Sequence, residues 1–227
     1  ALERQSADVA LCPWIKSILD PPEVQLVGGV LQQRGLPKEP LAIALATKWS
    51  VILQCALFRR SVFSSCSPFD SSYFVAEDTL LFLDCFIRGA SVIHTPECLL
   101  VYREIGPGKL TGDGCPSERR CVDWGRYLLA VHEQCNARLG VDLTNYVAFK
   151  MRLWKASQGL FEFADDSAIE VREKLQSILP KPLCPWHYRF LDSLSRCSGG
   201  IKDRLTGDRS AREFQVGSLS QYQASVF

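Results

Sequence analysis

The stretch AEDTLLFLDCFIRGASVIHTPECLLVYRE, residues 76–104, decides the fold class of this chain. Asp78 to Arg88 is predicted to form a helix, because acids come first, apolar residues share one face, and Arg88 precedes Gly89. The segments SVIHT and CLLVYRE that follow are β-favouring runs separated by Pro96. A helix that leads directly into strands indicates an α/β arrangement.

Two adjacent acids, Glu77 and Asp78, introduce this apolar helix. Acids in the first turn stabilise a helix because they face the positive end of its dipole. A carboxylate at the mouth of a site can instead act as a general base. Composition does not separate the two interpretations, so both stay open at this point.

Upstream of this stretch the chain alternates β-favouring runs with loops. Residues 8–12 and 23–31 are short β-favouring runs, and the turn signal Asp-Pro-Pro lies between them. Apolar residues recur at helical spacing after Leu41, which predicts a helix that runs towards Arg59 and Arg60.

From Ser117 onward, charged and apolar residues alternate at helical spacing. The pattern predicts an amphipathic helix ended by Gly140, one or two further helices closed by Pro180, and a shorter helical piece at residues 186–197. Beyond Gly199 the chain is polar, and we expect about the last 25 residues to be poorly ordered. The Gly-rich segment 105–114 has few apolar residues, which predicts a mobile or ligand-facing loop.

The composition suits a globular protein with a substantial core. Of 227 residues, 47% are hydrophobic and 22% are charged, and the net charge of +1 gives no reason to expect nucleic acid binding. No apolar run approaches the roughly 20 residues of a membrane-spanning helix. The first residues lack an initiator Met and the layout of a signal peptide. Cysteines inside apolar runs favour reduced thiols, and on that ground we expect a cytoplasmic protein.

The chain has 10 cysteines, which raises the question of disulfides or metal. Because several lie inside apolar runs, we expect reduced thiols that behave as small buried hydrophobes. These cysteines are Cys12, Cys55, Cys85 and Cys98. The alternative is a zinc site built from His132 and Cys135 together with Cys184 and His187, which repeat the same gap. We expect ordinary packing positions there, and no metal ligand in this chain.

The order of motifs along residues 49–103 resembles the second half of a family 2 glycosyltransferase with the GT-A fold. In that family a Trp-led helix ends in a Gln and a Phe-Arg-Arg element. A Phe-Asp loop follows, then a Glu-Asp pair that opens a helix, a Gly, a strand, and a Tyr-Arg strand end. All these pieces occur here in that order.

The resemblance implies an α/β fold, a partial GT-A domain of mixed sheet and helices followed by a C-terminal helical extension. Residues 1–116 would be the acceptor-side half of the domain, residues 117–198 the helical extension, and residues 199–227 a flexible tail. It also implies inverting transfer of a sugar from a nucleotide-sugar donor to a glycan or lipid-linked acceptor, as in polysaccharide biosynthesis.

The resemblance assigns roles to individual residues. Asp78 would be the general base, and Glu77 would orient Asp78 or bind an acceptor hydroxyl. The remaining candidates would bind substrate: Trp49 and Gln54 on the acceptor side, Arg59 and Arg60 at the diphosphate or acceptor, and Arg103 and Lys109 at the leaving nucleoside diphosphate. Each also has an ordinary interpretation as a core, surface or loop residue.

The chain departs from the family pattern in two places. The family binds its nucleotide in an N-terminal half whose Asp-x-Asp element holds a divalent metal, Mg or Mn, and residue 1 stands just after that element. Ile105 also occupies a position where many relatives have His. We therefore expect no bound metal and no turnover for this chain alone. The alternative function is a non-catalytic glycan-binding or interaction module derived from a glycosyltransferase. Peripheral membrane association and oligomeric state stay open.

Overall fold

The computed structural model of the protein describes residues 6–20, 23–26, 35–65, 69–96, 100–103 and 117–179. The predictions for Lys109, the Gly-rich loop, the helical piece at 186–197 and the C-terminal tail lie outside these residues.

Strands occupy the first half of the described residues, and helices dominate the second. The strands are β1 (Val9–Leu11), β2 (Trp14–Asp20), β3 (Glu23–Leu26), β4 (Ala56–Phe58), β5 (Val92–His94) and β6 (Leu100–Arg103). The helices are α1 (Leu41–Thr47), α2 (Val62–Ser65), α3 (Glu77–Ile87), α4 (Ser117–Leu139), α5 (Val147–Gly159) and α6 (Asp166–Ile178). Short 3-10 turns occupy Leu53–Cys55, Leu143–Asn145 and Leu160–Glu162.

The strands form two small mixed sheets. In the first, β1 lies between antiparallel β4 and parallel β5; in the second, β2 lies between antiparallel β3 and parallel β6. This mixed sheet with helices, followed by a helical C-terminal part, confirms the predicted α/β class.

The parallel pairs β1–β5 and β2–β6 lie in succession, because β2 follows β1 along the chain and β6 follows β5. Leu11 lies opposite His94, and after an interruption at Pro13 the pairing resumes with Trp14 opposite Leu100. Proline has no N–H to donate to a ladder, but the Pro13 carbonyl still accepts from the Leu100 N–H at 3.0 Å. Strand β2 is absent from the sequence-based prediction, which placed strands only before and after it.

The predicted helix from Leu41 towards Arg59 and Arg60 is wrong beyond its first two turns. Helix α1 ends at Thr47, where the N–H groups of Lys48 and Trp49 both bond to the Ala44 carbonyl. The chain then turns into β4, which pairs with β1. Pairing of this strand with β1 overrides the helical spacing of its apolar residues, since β-structure depends strongly on tertiary context.

Helix α3 confirms the prediction to within one residue at each end. Its acids Glu77 and Asp78 stand in the first turn, and Gly89 follows with a φ of 79°. A positive φ is readily adopted only by glycine, which explains why the helix stops there. The middle of the helix, from Leu81 to Phe86, is buried.

The helical part packs directly on the α/β part. Helix α4 contacts α1 and α3 on one side and α5 and α6 on the other, and the buried apolar residues form one connected cluster. As predicted, α4 ends before Gly140, whose φ is 65°. Within this core burial raises the pKa of the Cys55 and Cys135 thiols to about 11.

Candidate functional site

The acid pair follows a residue in an uncommon backbone conformation. Ala76, directly before Glu77, has a φ of 71° and is 5% exposed. The left-handed region costs a non-glycine residue about 1–2 kcal/mol. Such a conformation persists only where surrounding contacts hold it, and it occurs often at functional sites.

Hydrogen bonds fix the carboxylate of Asp78. Its Oδ1 accepts from the Thr79 N–H at 2.7 Å and from the Thr79 hydroxyl at 3.2 Å. Both Glu77 and Asp78 are half-buried. Burial raises the pKa of Glu77, and the negative charges of Asp78 and Asp123 add to this effect. The first turn of α3 therefore holds Asp78, whose carboxylate is oriented by hydrogen bonds, beside Glu77, which retains its proton to a higher pH than an ordinary glutamate.

A carboxylate on α4 holds the loop that leads into the acid pair. Asp123 is fully buried, and its Oδ2 accepts from the Phe74 N–H at 2.6 Å and from the Val75 N–H at 3.2 Å. Only Ala76 separates these two residues from Glu77. The start of α3 is thus tied to the helical part of the protein.

Two arginines complete this arrangement, which we call the Asp123 anchor (Arg119, Asp123 and Arg126). Arg119 Nε and Arg126 Nη1 lie 3.4 and 3.7 Å from Asp123 Oδ1. Both arginines donate to the Ser72 carbonyl, at 2.6 and 3.2 Å. The Arg126 guanidinium also lies over the Tyr73 ring, 4.4 Å from its centre. Charge-assisted bonds of this kind are the stronger ones in proteins.

Sequence reasoning missed the anchor, although it left a signal. Arg119 and Arg126 stand four residues before and three residues after Asp123, so all three share one helical face. Asp123 also directly follows Val122 of the apolar face. An acid next to an apolar face with basic residues at these spacings indicates a buried ion pair.

A buried tyrosine and an arginine stand behind the acid pair. Tyr127 is fully buried, and burial raises its pKa to about 12; its charged neighbours include Arg152 and Asp78. Arg152 donates to the carbonyls of Leu45 and Ala46 at 2.8 and 2.7 Å, which closes the carboxyl end of α1. The sequence gives no local sign of these contacts, because they join separate elements.

The structure does not bring Trp49 to the acid pair. Its ring packs against Phe86, with 5.9 Å between the ring centres. Phe86 is eight residues after Asp78 in α3, which separates them by about 12 Å along the helix axis. Gln54 is exposed and precedes Cys55, whose carbonyl accepts from the Cys12 N–H just beyond β1.

The arginine candidates lie elsewhere. Arg59 Nε donates to the Ala7 carbonyl at 3.0 Å, beside the segment that leaves the far end of α3. Arg60 is exposed in the turn before α2. Arg103 ends β6 and pairs with Ser17 in the sheet register. Among the described candidates, Glu77 and Asp78 stand together in the first turn of α3, and Arg59 and Arg60 stand together before α2.

An open cleft of about 510 Å³ lies between α4 and α6. Its walls carry both signs of charge and include Glu118, Arg119, Asp123, Arg126, Glu170 and Lys174. None of the predicted site residues whose side chains the structure describes lines it. Lys174 and Glu170 pair with each other, so part of its charge is already satisfied. The oriented acid pair is the better candidate for chemistry.

Comparison with protein-family models, curated proteins and solved structures finds no match to this chain.

The described part of the chain offers no group of three His, Cys, Asp or Glu side chains that could hold a metal ion. His132 stacks on Phe149, with ring centres 6.0 Å apart, and Cys135 is buried. Cys184 and His187, the other members of the zinc alternative, lie outside the described residues. Within those residues, no helix has the length and apolar character needed to cross a membrane.

Proposed function

We propose that this chain supplies the acceptor site and catalytic base of an inverting glycosyltransferase. The enzyme would transfer a sugar from a nucleotide-sugar donor to a glycan or lipid-linked acceptor, in the cytoplasm. The observation that carries the proposal is the half-buried Glu77–Asp78 pair, held at the start of a buried helix by a charged anchor. The motif order along residues 49–103 supports the same class.

Asp78 is the base in this mechanism. A sugar hydroxyl is a poor nucleophile, and a carboxylate within hydrogen-bond reach activates it during attack. The acceptor oxygen forms a bond to the anomeric carbon of the donor sugar, while the bond from that carbon to the nucleoside diphosphate breaks. The hydroxyl proton passes to Asp78, the nucleoside diphosphate leaves, and attack from the opposite side inverts the anomeric configuration.

The local geometry suits this division of roles. Among the described residues, the hydrogen bonds of Asp78 go to Oδ1, so Oδ2 is the oxygen that would receive the proton. Glu77, whose pKa burial raises, suits a group that hydrogen-bonds an acceptor hydroxyl. A rigid helix start is a favourable place for such groups, because small misplacements cost much catalysis.

The described residues do not fit the divalent metal, Mg or Mn, that the resemblance implies. The adjacent Asp165 and Asp166 open α6, where Asp165 accepts from the Ser167 N–H and hydroxyl as an N-cap. These acids serve a helix end and offer no third ligand. We therefore assign no metal ligand to the described residues, and the mechanism above uses no metal.

Asp78→Asn tests the base, in a protein that joins this sequence to a nucleotide-binding half. The substitution keeps the shape and removes the proton acceptor, so transfer should fall by roughly 10² or more while donor binding persists. Asp166→Asn, which also changes a first-turn acid, is the matched control and should leave transfer unchanged. An Asp78→Asn variant with full transfer would contradict the proposal, as would a wild-type protein that transfers no sugar.

A glycan-binding module without transfer is the second candidate. The cleft between α4 and α6 favours it, because its volume falls in the range of small-molecule sites and Glu77 and Asp78 do not line it. Glycan-array binding distinguishes the two. In a binding module, Lys174→Ala should weaken glycan binding, whereas Asp78→Asn should not.

A further inference from the structure

We infer that Asp123 is a positioning residue, which fixes the loop at residues 72–75 from α4 and thereby sets the direction of Glu77 and Asp78. This inference rests on the proposed function. It places a determinant of the site in the helical part of the chain, outside the region that resembles a glycosyltransferase.

The contacts of Asp123 reach the acid pair through a very short connection. One oxygen of its carboxylate accepts from two successive amides, those of Phe74 and Val75. Glu77 is only two residues further along. Any shift of these amides therefore moves the first turn of α3 almost directly.

The residue between them needs such support. Ala76 is buried in the left-handed region, which an alanine leaves when nothing holds it there. The anchor restrains the loop through the backbone on the amino-terminal side of Ala76, at Ser72, Phe74 and Val75. On the carboxyl-terminal side, α3 itself provides the restraint. Ala76 is thus fixed between two rigid elements, and releasing either one frees the acid pair.

Asp123 also acts on Glu77 through its charge. The charged neighbours of Glu77 are Asp78 on its own helix and Asp123 on α4, and the charge of Asp123 is offset by Arg119 and Arg126. Removing the charge at position 123 should therefore change the titration of Glu77, both by releasing the loop and by removing a nearby negative charge.

Asp84 provides a matched comparison on the neighbouring helix. Like Asp123, it is a buried acid paired with two arginines: Arg88 Nε, four residues along the chain, lies 2.9 Å from its Oδ1, and Arg138 Nη1 of α4 lies 3.4 Å from it. It stands near the other end of α3 from the acid pair. The Asp84→Asn variant therefore measures the loss of stability when a buried, arginine-paired carboxylate is neutralised away from the loop at residues 72–75.

The test compares Asp123→Asn with Asp84→Asn in a protein that also carries a nucleotide-binding half. We expect Asp123→Asn to lower kcat by about tenfold or more, because a displaced base loses catalysis steeply. We expect the KM for the donor to stay within about twofold and the pH profile to shift. Asp123→Glu, which restores the charge, should recover part of kcat. Asp84→Asn should change none of these except through overall stability. An Asp123→Asn enzyme with unchanged kcat and pH profile would overturn the inference.

Nuclear magnetic resonance on the 227-residue chain separates this inference from the proposed function. In Asp123→Asn, amide exchange at Phe74 and Val75 should rise about tenfold or more, and the titration midpoint of Glu77 should fall. Neither should change in Asp84→Asn. If the wild type transfers no sugar, the proposed function fails, and these two readings still decide whether Asp123 positions the acid pair. Unchanged exchange and midpoint would overturn the inference. If Asp123→Asn does not fold, Arg126→Met provides the same comparison from the exposed side of the anchor.

Discussion

At the scale of single residues, the surroundings of each carboxylate decide what it can do. Asp123 is fully buried but accepts two amide bonds and faces two arginines, so its negative charge is well compensated. Glu77 lies only a short distance away and faces two other acids instead. The same chemical group anchors a loop in the first case, and in the second it is a half-buried carboxyl whose pKa is raised.

Glu77→Gln should stabilise the fold at neutral pH. The pKa of Glu77 is raised above its ordinary value of 4.5, so the folded state binds this proton more tightly than the unfolded state. Its contribution to stability is therefore present below pH of about 4.5 and falls as pH rises from there through the higher pKa of the folded state. Above that pKa the charged side chain disfavours folding. Urea unfolding should show Glu77→Gln more stable than the wild type at pH 7, with a gap that narrows as pH falls towards 4.5 and is smallest below it.

Glu170→Gln is the control of opposite sign. Lys174 lowers the pKa of Glu170, so its contribution to stability is present above the ordinary value and is lost as pH falls. This variant should be slightly less stable than the wild type at pH 7. If both variants shift stability in the same direction, charge is not the cause, and our account of Glu77 is wrong.

At the scale of elements, one glycine sets the distance between α4 and α6. A Cβ added to Gly125 would collide with Val171 Cγ1 and press on Leu175 Cδ1 at 3.3 Å. Val171 is β-branched and stiff, so it cannot turn aside easily. The two helices therefore approach closely because Gly125 has no side chain.

Gly125→Ala should lower the free energy of unfolding by about 1–3 kcal/mol, the usual cost of overpacking. Gly159→Ala is the matched control on α5, since its added Cβ meets only Cys121 Sγ at 3.6 Å, an ordinary contact. There the higher helix propensity of alanine should raise stability by up to about 1 kcal/mol. Urea unfolding measures both. A stabilised Gly125→Ala would show that the helices can separate without cost.

The elements also show which features a sequence can predict. Helix α3 was predictable because its signals are local: acids first, an apolar face, and Gly89 to end it. The end of α1 at Thr47 was not predictable. The chain beyond it forms β4 by pairing with β1, and helical spacing in a short apolar run does not report that partner. The acid pair could be named from sequence, whereas Asp123 and Arg152 act on segments far away along the chain.

At the scale of the whole molecule, the helical part completes the core of the α/β part. Buried residues of α3 and α4 belong to one cluster, and Arg152 of α5 closes the end of α1. A division of the chain near residue 116 would therefore expose apolar surface on both sides. The boundary predicted from sequence separates two segments of chain that share one core.

Residues 1–116 alone should lack a cooperative unfolding transition, whereas the full chain should show one. The fragment loses the contacts of α4 and α5 with α1 and α3, and it should bind a hydrophobic dye, as loosely packed states do. Guanidinium unfolding followed by circular dichroism and by fluorescence measures this. Adding residues 117–227 should restore the transition. A fragment that unfolds cooperatively by itself would mean that the helical part is an independent domain.

The burial of Cys135 has a practical consequence. Its thiol lies on α4 at 0% exposure with a pKa of about 11, so at neutral pH it is both covered and almost entirely protonated. Alkylating reagents react with the thiolate, so this sulfur becomes reactive only when α4 leaves its place. Helix α4 carries both Cys135 and the Asp123 anchor that supports the acid pair. In a protein whose other cysteines are replaced, the rate of Cys135 labelling therefore measures how often α4 opens.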